Sequence, residues 1–250
     1  MKYVLASTIP LLALVCYMSF EARWLKVTVF EVRANVRIPL KIAHLSDLHI
    51  HRFGSLEQGV LNSLDREKPD LIVITGDTFD GPESLAVGPQ ILSKMKAPLG
   101  VFAVNGNWEH WLSENTAPYF EQSGIHLLKN ERFRVREDID LAGSDLGQQH
   151  SRILSSEGDP TRYCISLYHY PINFDQDEKC PLALAGHTHG GQVRLPFVGP
   201  IWKPYGSGRY DKGWYGDPQH QLFVSAGIGT SILPIRFLNR PELVYMVLHK

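Results

Sequence analysis

Five short clusters of acidic, amide and imidazole residues, each at the end of an apolar run, could do chemistry in this chain. They are Asp47-Leu48-His49, Gly76-Asp77-Thr78, Asn105-Gly106-Asn107, His169, and Gly186-His187-Thr188-His189-Gly190. Together they supply about eight oxygen and nitrogen ligands, as two adjacent divalent ions require and more than one structural zinc uses. A metal pair clamps both the attacking and the leaving oxygen of a displacement at phosphorus, so the pattern points to a hydrolase. Asp47 and His49 would share one face if their strand continued. Asp77, after a strand and a glycine, can bridge two ions through its two oxygens, and Asp80 is placed to hold the loop or a ligand histidine from behind. Asn107 offers a neutral oxygen that fills a coordination position without adding charge. The glycines around His187 and His189 let backbone and ligands approach closely. Each cluster alone has a plainer explanation: turn capping for Asp77 and Asp80, an Asn-Gly turn at Asn105-Gly106, a core or loop histidine at His169. Their joint order carries the reading.

The elements that must position these residues follow from the apolar runs. Val27–Val32 and Leu40–Leu45 have strand composition, and the second leads directly into Asp47. A helix over Leu56–Leu64, a strand Leu71–Thr75, a helix over Leu85–Met95 and a strand Val101–Val104 complete a β-α-β-α-β series with parallel strands. Such sheets place their sites at the carboxyl ends of the strands. The second half reads as shorter strands at Phe133–Val135, Ile139–Ala142, Ile165–Tyr168, Leu182–Ala185, Leu222–Ser225 and Leu243–Val247. The aromatic, Gly-rich stretch from Gly190 to Gly216 reads as a long loop at the mouth of the site. Two sheets in one α/β domain, with helices outside, fit this pattern better than one doubly wound sheet.

The 250 residues carry 26 acidic and 25 basic side chains, a formal net charge of -1 that leaves no footprint for nucleic acid. The expected partner is a phosphorylated or pyrophosphate-containing small molecule or lipid, and the chain is expected to be a monomer. Cys16, Cys164 and Cys180 lack finger spacing, so neither a disulfide framework nor a structural zinc is expected. Tyr3 to Phe20 is uncharged, and as a helix would be about 27 Å long, enough for a thin bilayer core. A retained signal-anchor over residues 1–24, with Trp24 at the interface and a catalytic domain over 25–250, is the favoured expectation. A cleaved signal peptide and a buried or peripheral segment are the alternatives. The basic flank, Arg23 and Lys26 against Lys2, favours the globular part on the cytoplasmic side of the membrane.

Asp47-x-His49, Gly76-Asp77-x-x-Asp80, Gly106-Asn107, His169 and Gly186-His187-x-His189 resemble, in order and separation, the blocks of the calcineurin-like metallophosphoesterase superfamily. The apolar N-terminus, the run His187 to Pro196, Gly227 to Ser231, Pro234-Ile235-Arg236 and Arg240-Pro241-Glu242 resemble a narrower group of membrane-associated bacterial phosphohydrolases. Some of that group act on lipid or nucleotide-lipid pyrophosphates, and a UDP-2,3-diacylglucosamine pyrophosphohydrolase of lipid A synthesis is one specific expectation. The resemblance implies a four-layer α/β/β/α sandwich of two mixed sheets preceded by an N-terminal apolar helix. It further implies that Asp47, His49, Asp77 and His189 hold one ion and Asp77, Asn107, His169 and His187 a second. Manganese, iron or zinc suits so imidazole-rich a set. A hydroxide bridging the ions would attack phosphorus, with Asp77 and Asn107 at the catalytic centre.

One departure stands out. The family has a histidine directly after the asparagine, where it can protonate the leaving group, and this chain has Trp108. Tryptophan has one indole donor and is no general acid. Either His110 supplies that proton, or the leaving group is a phosphate or nucleotide that needs none. An inactive, metal-holding binding protein is the non-enzymatic alternative. Arg194 could add a charge-assisted donor to the substrate phosphate. Arg236 and Arg240 are expected instead to fasten the C-terminal strand.

Overall fold

Runs such as Leu71-Ile72-Val73-Ile74-Thr75 have no polar face, and in the computed structural model every residue of that run is buried, as befits a strand covered on both sides. The structure describes residues 2–146, 158–177 and 180–250, with the side chains of the first helix from Pro10 onward. The elements of the first half are α1 (Lys2–Glu21), β1 (Lys26–Arg33), β2 (Leu40–Leu45), α2 (Ser55–Glu67), β3 (Leu71–Thr75), α3 (Pro82–Leu92), β4 (Val101–Val104), α4 (Asn107–Trp111), α5 (Ala117–Gln122) and β5 (His126–Leu127). The second half adds β6 (Glu131–Arg136), β7 (Ile139–Gly143), β8 (Tyr163–Leu167), β9 (Leu182–Ala185), β10 (Arg194–Leu195), β11 (Gly199–Pro200), β12 (Gly213–Asp217), β13 (His220–Val224) and β14 (Glu242–His249). Short 3₁₀ turns lie at Pro171–Gln176 and His189–Gly191.

The larger strands form two mixed six-stranded sheets, ordered β1-β14-β2-β3-β4-β5 and β12-β13-β9-β8-β7-β6. In the first, β2, β3 and β4 run parallel, as the β-α-β-α-β reading requires. In the second, β13, β9, β8 and β7 run parallel. The main core lies between the sheets, where Ile42, Val73 and Val104 of one meet Leu141, Ile165 and Leu184 of the other. Helices α2, α3 and α5 bury Leu64, Leu92 and Phe120 on the outer face of the first sheet. On the outer face of the second, Phe174 from a 3₁₀ turn and Tyr210 from a loop pack on Ala183 and Leu222.

Two expectations are corrected. Among the described residues no helix is long and apolar enough to cross a membrane, so the anchor over residues 3–20 and the membrane location built on it are not supported. The end of α1 is instead committed to the folded body. Glu21 is buried and accepts the backbone N–H groups of Leu238 and Asn239, and the Met18 carbonyl accepts the N–H of Arg236. The second correction concerns sulfur: Cys164 and Cys180 form a disulfide, their Cα atoms 4.8 Å apart. Parallel pairing of β8 with β9 sets Cys164 beside the approach to β9, a proximity that no spacing rule reveals. Cys16 is free.

Arg236 and Arg240 fasten the chain as expected. Arg240 donates to the carbonyls of Trp24 and Leu25, its guanidinium 3.9 Å from the Trp24 ring centroid. Arg236 is fully buried, and its guanidinium donates to the carbonyls of Ala226, Gly227, Gly229 and Asn239 at 2.6–3.2 Å. Arg236→Met would leave these carbonyls without their donors. The variant is expected to lose at least about 3 kcal/mol, because each buried unsatisfied group costs roughly 1–3 kcal/mol. A urea midpoint equal to that of the parent chain would show that the loop is held by other means.

Candidate metal centre

Every ligand candidate leaves the carboxyl end of a parallel strand. Asp47 and His49 follow β2, Asp77 follows β3 and Asn107 follows β4, all from the first sheet; His169 follows β8 and His187 and His189 follow β9, from the second. The centre therefore sits astride the two sheets. The strand does not continue through Asp47 and His49, so the condition for their sharing a strand face is not met. Asp47, His49, Asp77, His187 and His189 all have left-handed backbones, φ between 42° and 73°. That conformation costs a non-glycine residue on the order of 1–2 kcal/mol, and such strain collects at functional sites. Glycine is required between them: a Cβ on Gly186 would run into Ser46 Oγ and the Asp47 carboxylate.

The ligand atoms fall into two overlapping groups. Those of Asp47, His49, Asp77 and His189 lie within 4.8 Å of one another, as do those of Asp77, His169 and His187. Outer partners fix the ring orientations. His169 Nδ1 donates to the Thr75 carbonyl at 2.7 Å and His187 Nε2 to the Tyr205 carbonyl at 2.6 Å, which turns His169 Nε2 and His187 Nδ1 inward. His49 Nδ1 faces Asp80 at 3.0 Å, which turns its Nε2 toward His189 Nε2 at 3.2 Å. His169 Nε2 then stands 3.1 Å from each of three acceptors, Asp77 Oδ2, Asn107 Oδ1 and His187 Nδ1. One proton cannot satisfy three acceptors, whereas a cation among them can. The donor set fits a pair of divalent metal ions.

Residues 40–191 match the family described as calcineurin-like phosphoesterase. The chain belongs to that family. It is 34% identical over 226 residues to the uncharacterized metallophosphoesterase YkuE of Bacillus subtilis (strain 168), covering 83% of this chain and 78% of that protein. An uncharacterized metallophosphoesterase of Aquifex aeolicus (strain VF5) is 32% identical, with 93% and 95% covered. The phosphodiesterase YaeI of Escherichia coli (strain K12) is 31% identical, with 84% and 82% covered. One solved structure superposes with a TM-score of 0.51 at 13% identity, over 76% of this chain and 91% of the other, a likeness of fold alone.

This calcineurin-like phosphoesterase is thus a metal-dependent hydrolase by family, with two divalent ions as its cofactors. Its Trp108 lines the cleft above the metal centre and meets the His49 ring edge-on at 5.7 Å. His110 is not brought to the metal cluster: its Nε2 lies 2.7 Å from Asp145 Oδ1 on the partly exposed side of α4. Arg194 is likewise engaged elsewhere, donating at 2.8 Å to both the Gly190 carbonyl and Asp211.

Burial opposes charge on every group here. It drives His187 down to about 3, whereas the Asp77 and Asp47 carboxylates outweigh it at His169 and lift that imidazole to about 9. Loading metal must therefore displace a proton from His169.

Glu109 is the functional residue that sequence reasoning passed over. It is buried, and its carboxylate accepts the backbone N–H groups of Asp77, Thr78, Phe79 and Gly106, tying the β3 and β4 loops together. Burial first, and then the Asp77 charge, push its carboxyl up to about 7. The available signal was its place, just beyond the asparagine motif. Glu109→Gln would turn an amide against those N–H donors. Through Asp77, which belongs to both ligand groups, it is expected to weaken both ions by about 10–100-fold. Metal retained at parent affinity, measured by elemental analysis after graded chelator dialysis, would remove Glu109 from this role.

Proposed function

We propose that this chain hydrolyses a phosphodiester or pyrophosphate whose organic part is apolar. The observation that carries the reading is a cleft of about 650 Å³. Asp77, Asn107, His187 and His189 line it, together with Trp108, Trp111, Ile201, Trp202, Ile232 and Leu233. Pockets of this size take a small ligand through apolar contact and orient it with a few polar groups. In this reading Asp47, His49, Asp77 and His189 hold one ion, and Asp77, Asn107, His169 and His187 the other. When bound, such a pair supplies Lewis acidity at the phosphoryl oxygens and a water made acidic enough to attack near neutrality.

The protein's own share is orientation and exclusion of water. Asp77 Oδ1 is held by the Trp108 N–H at 2.9 Å, which leaves Oδ2 for the centre. The carbonyls of Thr75 and Tyr205 keep His169 and His187 turned inward. Trp108 offers no titratable proton, and His110 faces Asp145. The leaving group is therefore one that departs unaided, such as a phosphate, a nucleotide or an aryl oxide. A UDP-2,3-diacylglucosamine meets both conditions, with a pyrophosphate to cleave and acyl chains for the cleft. The name of YaeI, a phosphodiesterase, supports a diester over a monoester.

Two measurements test this reading. In a panel of aryl and alkyl phosphodiesters, phosphomonoesters and a diacylated nucleotide pyrophosphate, kcat/KM is expected to rise with apolar size. Each added methylene that the cleft accepts is worth about tenfold or more. A preference for small polar monoesters would overturn the proposal, and metal-loaded protein that turns over nothing would favour the binding-protein alternative. Placing the family residue at 108, as Trp108→His, is expected to raise turnover of alkyl relative to aryl esters by about 10²-fold. His110→Ala is expected to leave that ratio unchanged. A selective loss on alkyl esters in His110→Ala would restore His110 as the proton donor.

A further inference from the structure

We propose that the last turn of α1, through Met18 and Glu21, is a positioning element for the ion held by Asp47 and His189, and not for the ion held by Asn107, His169 and His187. The inference rests on the two-ion reading above. Two hydrogen-bonded routes lead from this turn to that half of the centre. In the first, Glu21 Oε1 accepts the N–H of Asn239 at 2.7 Å and Oε2 that of Leu238 at 3.1 Å. The Asn239 side chain then donates to the His189 carbonyl and accepts Lys212 Nζ at 2.6 Å. In the second, the Met18 carbonyl accepts the N–H of Arg236, whose guanidinium holds the carbonyls of Gly227 and Gly229. Gly229 N–H in turn donates to the Asp47 carbonyl at 2.7 Å, and Ile228 N–H to Ser46 at 3.0 Å.

Both routes end on residues of one ligand group. The other group is oriented by Thr75, Tyr205 and Glu109, and it joins these routes a step further on, where the His187 N–H donates to the two Asp47 carboxylate oxygens at 3.0 and 3.1 Å. Met18 also lines the substrate cleft, so the same turn touches substrate space and metal support. These bonds cross the division at residue 24 that the sequence suggested.

The test uses the full chain loaded with Mn²⁺ or Zn²⁺. Bound metal is measured by elemental analysis across graded chelator, beside the thermal midpoint, for Glu21→Ala, Glu21→Gln and Asn239→Ala. Glu21→Ala is expected to keep one ion at parent affinity and to hold the other about 10–100-fold more weakly, the usual cost of losing an outer partner. Asn239→Ala should reproduce this split. Glu21→Gln, which keeps one accepting oxygen, should fall between parent and Ala. Two ions weakened together in step with a lower midpoint would make the turn a general structural brace and overturn the inference. So would two ions held as in the parent. If Glu21→Ala does not fold, Glu21→Gln and Asn239→Ala decide by the same criterion. A parent chain that never holds a pair of ions would sink the two-ion reading first and this inference with it.

Discussion

Lone pairs facing one another in a buried space are the constraint on which this structure turns. Once the His169 proton is removed, Asp77, Asn107, His169 and His187 point acceptors at a common centre, and Asp47, His49 and His189 do so beside it. Out of water, such an arrangement repels itself unless positive charge lies between the groups. The protein therefore holds each ligand from behind. Carbonyls and carboxylates take the outward-facing nitrogens of His49, His169 and His187, and left-handed backbone turns five of the ligands to the same side. A mobile set of side chains would relax apart. This set is built so that it cannot.

Rigidity of that kind needs elements that do not yield. The ligands hang from strands whose residues are buried on both faces, and the first sheet meets the second across a continuous apolar core. The cleft sets the polar groups Asp77, Asn107, His187 and His189 beside apolar walls that include Trp108, Ile201 and Leu233, and in the proposed reaction charge would meet the phosphorus and hydrocarbon surface whatever it carries. Trp108 marks the boundary. Where the family pattern has an imidazole, an indole contacts His49 on one side and Trp111 on the other, at ring separations of 5.7 and 5.3 Å.

The ligands were legible because each ends an apolar run, and strand ends are where parallel sheets expose side chains. Strands Leu40–Leu45, Leu71–Thr75, Val101–Val104 and Leu182–Ala185 stand where the sequence placed them. What sequence could not give was contact carried by the backbone. Glu109, Glu21 and Asn239 act on N–H and carbonyl groups of distant segments, and an amide looks the same in every residue. The same limit explains the disulfide, which depends on strand pairing. Asp47 and His49 do fall in one ligand group, but left-handed backbone brings them there and not the alternation of a continued strand.

Among the described residues strand β1 lies at the edge of its sheet and pairs only with β14, register running from Lys26 opposite Glu242 to Arg33 opposite His249. His49 meets His189 across 140 residues. During synthesis, at roughly 5–20 residues per second, β1 must wait on the order of ten seconds or more for its partner, offering unpaired backbone all the while. Both ligand groups are likewise incomplete in any nascent chain that stops short of His187. Ion capture is thus a late event on the ribosome or after it, and an interrupted translation product leaves an exposed strand without a reactive metal beside it.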